Sequence, residues 1–172
     1  MYGQTKKDGI FCYSVVDKDG CERGFSRTGL ELTNFDPRYH GTNQHKPGVY
    51  INELTCRHCS LEELSGLFNP MRVKPLDKAQ EELVRCTLPW FHDYLTLDGF
   101  IQGKVSTTYL DRYKELKERL DSSMILGLTS IMDENDKDIF TKLQVDLYGE
   151  EGAVYKHDAG WIAGHKGWKC MV

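Results

Sequence analysis

The run Ile139-Phe140-Thr141-Lys142-Leu143-Gln144-Val145-Asp146-Leu147 decides the fold class. Its odd-numbered residues are apolar or β-branched, and three of the four between them are polar. That period of two is the signature of a strand with one face in a core. On this reading Leu143→Asp or Val145→Asp unfolds the protein, whereas Lys142→Ser and Gln144→Ser are nearly neutral. The acidic run before it, residues 133–138, then becomes a hairpin connection from a strand over residues 124–132. It is no calcium loop: the required glycine is missing, and Gln144 stands where a bidentate glutamate is needed. Downstream, Gly149-Glu-Glu-Gly152 turns the chain, and residues 153–157, 160–163 and 167–172 read as short strands. Together these segments make a C-terminal antiparallel meander.

Working back towards the N-terminus, the pattern changes from strand to helix. Ser106 opens a helix to about Asp121, with Tyr109, Tyr113, Leu116 and Leu120 as its apolar stripe and Glu115–Arg119 as an i,i+4 pair. Trp90-Phe-His-Asp-Tyr-Leu95 is an aromatic segment for the core or an interface. Pro75 stands at the first turn of another helix, which Pro89 stops. Ser60-Leu-Glu-Glu63 is a capping box for a short helix from Leu61. Near the start, residues 10–16 and 21–27 form a hairpin around Asp17-Lys-Asp-Gly20. The fold class is therefore α+β: an N-terminal β-hairpin and a C-terminal meander, with about three helices from the middle of the chain on one side. One domain covers residues 1–172, with a loose polar arm at 1–9 and a long irregular connection at 28–48.

Composition narrows the function. A chain of 172 residues with 40% apolar and 28% charged residues suits one soluble domain. No apolar run reaches membrane length, and the first residues lack a signal-peptide core, so a cytoplasmic protein with reduced cysteines is expected. Net charge is −4, without a basic cluster, so a nucleic-acid partner is not expected.

The irregular connection leads into the one segment with ligand-like spacing. His40 and His45 precede the pair Cys56-Arg-His-Cys59, giving H-x4-H-x10-C-x2-C. One reading is a structural zinc held by Cys56, Cys59, His40 and His45, with His58, His157, His165 and Cys170 as substitutes. The helix start at Ser60 favours thiolate at Cys59. The other reading is two ordinary thiols and surface histidines. Local resemblances suggest enzymes. Strand, Cys56-Arg-His-Cys59, then helix is similar to the thioredoxin-like oxidoreductases, which implies thiol chemistry through Cys56. Tyr39-His-Gly-Thr42 resembles the NAD-site opening of some ADP-ribosyltransferases, which implies a contact of His40 with the nicotinamide ribose. His92-Asp93 resembles the metal-binding dipeptide of phosphohydrolases. Tyr39, Trp161 and Trp168 are candidate binding aromatics.

No catalytic constellation emerges from these motifs. The expectation is a non-enzymatic binding or regulatory protein that occludes a protein partner, of inhibitor, immunity or viral accessory type and zinc-clamped around residues 40–59. An ADP-ribosyl-transferring or thiol-redox enzyme is the first alternative. A component of a larger assembly, with residues 28–48 ordered against neighbours, is the second.

Overall fold

The computed structural model describes residues 1–164 and the backbone of 168–171, and it has the expected α+β composition. In chain order the elements are β1 (Tyr2–Lys6), β2 (Ile10–Val16), β3 (Glu22–Phe25), α1 (Pro37–His40), β4 (Gly48–Thr55), α2 (Leu61–Phe68), α3 (Lys78–Arg85) and β5 (Leu88–Leu95). Then come α4 (Leu97–Gln102), β6 (Lys104–Val105), α5 (Tyr109–Arg119), β7 (Thr129–Ser130), α6 (Glu134–Lys142), a π-helical turn (Leu143–Leu147), β8 (Gly152–Lys156), β9 (Trp161–Ile162) and β10 (Trp168–Met171).

Two four-stranded antiparallel sheets carry the molecule. One has the order β10-β8-β1-β7 and the other β3-β2-β4-β5; β6 and β9 form a separate two-stranded ribbon. The expected hairpin is β2–β3, with Tyr13 opposite Phe25. α2 starts where its capping box places it, Ser60 Oγ accepting from the Glu63 N–H at 3.1 Å. α2 and α3 cover one face of the β2-β4 pair with Leu64, Leu67, Phe68 and Val84. α5 buries Tyr109, Tyr113 and Leu116 against Tyr50, Phe91 and Tyr94. Burying such side chains contributes roughly 1.5–3 kcal/mol each. No described helix is long and apolar enough to cross a membrane.

Two expectations fail. Residues 1–9 are not a loose arm. Tyr2–Lys6 is an inner strand, paired with β8 on one side and β7 on the other. Its polar side chains are spent inside: Gln4 is buried and donates to the Leu126 carbonyl at 3.3 Å.

Residues 139–147 are not a strand. Asp133 caps α6 by accepting from the Asp136 N–H, and Glu134 and Asp136 lie in its first turn, where the helix dipole favours carboxylates. The packed residues are Phe140, Thr141 and Gln144, at helical spacing. Phe140 packs edge-on against Tyr155, Thr141 Oγ1 lies 2.7 Å from Tyr155 Oη, and Gln144 accepts from Thr5 at 2.8 Å. The alternating apolar residues Ile139, Leu143, Val145 and Leu147 point outward, 39–67% exposed. The C-terminal sheet is therefore completed by β1 and not by that run.

Candidate functional site

β1 and β2 lie in different sheets, so the chain crosses between them at residues 7–9. The crossing is tight. A Cβ on Gly9 would stand 2.2 Å from the Leu54 carbonyl oxygen, so no other residue fits there. It delivers two lysines to the edge where the sheets meet. Lys6 Nζ is 2.8 Å from Glu151 Oε1, and Lys7 Nζ is 2.6 Å from Glu150 Oε1. Both carboxylates sit just before β8, whose register puts Gly152 opposite Lys6. These partly exposed pairs add little stability, roughly 0–1 kcal/mol each; their effect is to fix the position of the amines.

The other sheet contributes an aromatic plate, a guanidinium and a carboxylate. Lys7 Nζ stands 4.5 Å from the centroid of the Trp90 ring, whose Nε1 donates to Thr55 Oγ1 at 3.1 Å. Glu53 is directly opposite Trp90 in the β4–β5 register, hence on the same face. Arg27, just beyond β3, lies 4.2 Å from the Phe11 ring centroid. Burial pushes the Glu53 carboxyl up to about 7; Glu151 and Asp8 push the same way, and Arg27 and Lys6 oppose. Lys6, Asp8, Arg27, Glu53 and Glu151 thus share one electrostatic field.

Deeper between the sheets is a buried polar group. Lys156 Nζ lies 3.0 Å from His92 Nδ1 and 3.2 Å from Tyr109 Oη. Burial pulls the Lys156 amine down to about 7 and keeps His92 well below its ordinary range, so the imidazole is neutral and accepts. Beside it, Arg112 grips Asp93 in a two-pronged ion pair, Nε–Oδ1 2.9 Å and Nη2–Oδ2 3.0 Å. The same guanidinium donates to the Thr107 and Ala159 carbonyls at 2.6 and 2.9 Å, tying α5 to both flanks of the gap.

This arrangement suits chemistry on a phosphorylated aromatic ligand. Two lysines and a guanidinium supply positive charge, an indole lies against one of the lysines, and a fixed primary amine is a potential nucleophile. None of Lys6, Lys7, Arg27, Glu53, Trp90, Glu151 or Lys156 was singled out from the sequence as a site residue. The available signal was Lys6-Lys-Asp-Gly9, lysines followed at once by a turn dipeptide, together with the two glutamates that begin β8. Both were read as ordinary arm and turn.

The structure does not bring the predicted zinc ligands together, and among the described residues no three His, Cys, Asp or Glu side chains form a possible metal site. His40 is fully buried against Phe35 and Phe68. Its Nδ1 accepts from the Asp36 N–H at 2.9 Å and its Nε2 faces the Val84 carbonyl at 2.7 Å, so both nitrogens are occupied. That burial also removes it from contact with an NAD ribose. His45 is exposed and points its Nδ1 at the Gly20 carbonyl, 3.2 Å away. Cys56 and Cys59 are half-buried free thiols against the α2 core. Cys59 is pushed up to about 12 by burial and by the Cys56 thiol, the reverse of the thiolate that the helix start suggested. Tyr39 is exposed beside Arg38. Trp161 stacks on Phe100 at 6.0 Å as a packing residue. The side chain of Trp168 lies outside the described residues, as do those of His165 and Cys170.

No family model matches the chain, and no curated sequence matches it. The fold does match solved structures. One is titled an ATP-dependent DNA ligase from bacteriophage T7 in complex with ATP: TM-score 0.70, 18% identity, covering 97% of this chain and 60% of that one. A second concerns Lig E DNA ligases described as binding DNA with a minimal scaffold: 0.64, 15% identity, 97% and 59%. A third is a Chlorella virus DNA ligase-adenylate: 0.59, 15% identity, 94% and 54%. Coverage of the matched chains runs from 41% to 60%, so this chain spans about half their length. The likeness overturns the expectation of a non-enzymatic inhibitor, immunity or viral accessory protein that meets no nucleic acid. The three structures named are of DNA ligases. Net charge is a weak guide to partners here because it averages over the chain: residues 133–150 alone carry six carboxylates against two lysines, a net of −4 equal to that of the whole sequence.

Proposed function

We propose that the chain is an intracellular nucleotidyltransferase. It would take AMP from ATP onto Lys6 and pass it to a terminal phosphate of a nucleic acid. The observation that carries this is the placement of Lys6. It closes an inner strand at the crossing between the sheets, held by Glu151 at 2.8 Å and sharing the field of Arg27 at Glu53, with Lys7 beside it on the Trp90 ring. The fold likeness to a ligase in complex with ATP and to a ligase-adenylate supports it.

The chemistry follows from those positions. Lys6 Nζ gives its proton to Glu151, the carboxylate that already accepts its hydrogen bond. The neutral amine attacks the α-phosphorus of ATP. A P–N bond forms, the P–O bond to the leaving group breaks, pyrophosphate departs with the electron pair, and the nitrogen gives its second proton to solvent. Trp90, beside Lys7, supplies an aromatic surface for the adenine, and Arg27 and Lys7 supply positive charge to the phosphates. In the second half a nucleic-acid phosphate oxygen attacks the same phosphorus. The P–N bond breaks as the nitrogen is protonated, and Lys6 recovers both protons given up in the first half. With no preformed three-ligand cage among the described residues, a divalent ion would enter on the polyphosphate.

Exchange of labelled pyrophosphate into ATP tests the first half, since it needs a reversible covalent step. The wild-type protein and the exposed-site control Lys142→Arg should catalyse it, and Lys6→Arg should fall to background. Exchange that survives Lys6→Arg would sink the proposal.

A further inference from the structure

Residues 132–148 present the largest run of exposed apolar side chains among the described residues. Met132 is 83% exposed, Leu147 67%, Tyr148 63%, Ile139 50% and Leu143 41%. The segment is not a frayed end. Its inner side is fixed by Phe140 on Tyr155, by Gln144 to Thr5, and by Tyr155 Oη donating to the Lys137 carbonyl at 2.8 Å. At Leu143 the helix widens into a π turn, closed by the Tyr148 N–H to the Leu143 carbonyl at 3.1 Å. Such turns cost regular hydrogen bonding and are kept where they re-aim side chains. Here the widened turn keeps Leu143 and Leu147 outward.

Charge identifies what fits this face. The apolar residues are interleaved with Asp133, Glu134, Asp136, Asp138 and Asp146, against which stand only Lys142 and Lys137, the latter already held by Glu134 at 2.5 Å. A field of that sign repels nucleic-acid phosphates and a second copy of itself. It attracts a helix with apolar residues on one side and Lys or Arg flanking them. The face also lies behind the sheet. Thr5 and Tyr155 point towards it, on the opposite side of β1 and β8 from Lys6 and Lys156. A partner seated there leaves the gap between the sheets open.

We propose that residues 132–148 form a docking face for a basic amphipathic helix of another protein. The proposal does not depend on the reaction assigned above. The test selects peptides from a random display library on the full chain and measures the affinity of the enriched ones. Enriched sequences should be basic and amphipathic, and Leu143→Ser/Leu147→Ser should weaken them by at least tenfold, about 1.4 kcal/mol. Asp138→Lys/Asp146→Lys should weaken them too, although the apolar contacts remain. Circular dichroism confirms that each exposed-site variant is folded. Enrichment without basic bias, or binding indifferent to both double variants, overturns the proposal. So does failure to enrich any binder, concentration-dependent self-association through the same residues, or slow hydrogen exchange showing that the chain covers this face itself.

Discussion

Asp93→Ala should be among the most damaging single substitutions in the protein. Asp93 is fully buried and Arg112 is 4% exposed, so neither charge has water to fall back on. Removing the carboxylate leaves the guanidinium with only the Thr107 and Ala159 carbonyls. It also takes the acceptor from the Tyr94 N–H, which donates to Asp93 Oδ1 at 2.8 Å. An uncompensated buried charge costs about 3–5 kcal/mol, which for a domain of this size lowers the melting temperature by about 6–20 °C. Because Arg112 ties α5 and the segment after β8 to β5, the gap beside Lys156 should loosen with it. The assay is thermal unfolding followed by circular dichroism on Asp93→Ala, Arg112→Leu and the double variant Asp93→Ala/Arg112→Leu. The double variant should melt above Asp93→Ala alone, because it no longer strands a charge. An Asp93→Ala midpoint within about 2 °C of wild type, under 1 kcal/mol, refutes the reasoning.

Leu143→Asp should shift the melting temperature little, because the side chain is already half in water. Phe140→Ala should cost more, on the order of 1–2 kcal/mol, because the ring is only partly buried where it packs on Tyr155. Thermal melts of the pair decide between the helix and a strand, since a strand predicts the opposite order. Glu53 gives a pH dependence. Its carboxyl titrates near 7 in the fold against an ordinary 4.5, so the folded protein holds a proton that the unfolded chain has released. That contribution is complete below about pH 4.5 and is lost as pH rises through about 7. Glu53→Gln should therefore gain on wild type at about pH 8 and not at about pH 4. Scanning fluorimetry at both values checks it, and an equal offset at the two contradicts it.

Elements whose signal is local were legible in the sequence. The Ser60 cap, the β2–β3 hairpin and the Tyr109-Tyr113-Leu116 stripe each follow from neighbours within a few residues, and the structure places all three as expected. Residues 139–147 misled because the apolar residues on the strand period are the exposed ones. The helix packs through Phe140, Thr141 and Gln144, of which two are polar and acquire partners only from β1 and β8. Tyr2–Lys6 looked like an arm for a related reason: an inner strand normally announces itself by apolar residues, and this one spends its polar side chains on long-range partners. The candidate site was illegible because its members come from five separate parts of the chain. Lys6, Arg27, Glu53, Trp90 and Glu151 have no common spacing, and only strand register and the crossing at Gly9 bring them together. The histidine–cysteine pattern had a common spacing, but His40 was needed to bind the backbone at Asp36 and Val84.

The central claim is that the Lys6 amine forms the covalent bond to AMP. The direct measurement is to incubate the full chain with ATP and a divalent ion, quench at alkaline pH where a P–N bond survives, digest, and locate the adduct by tandem mass spectrometry. The account predicts AMP on the peptide ending β1, attached at Lys6, lost on mild acid treatment and absent from Lys6→Arg. AMP attached at any other residue, or none in a protein that still exchanges pyrophosphate with ATP, would contradict it.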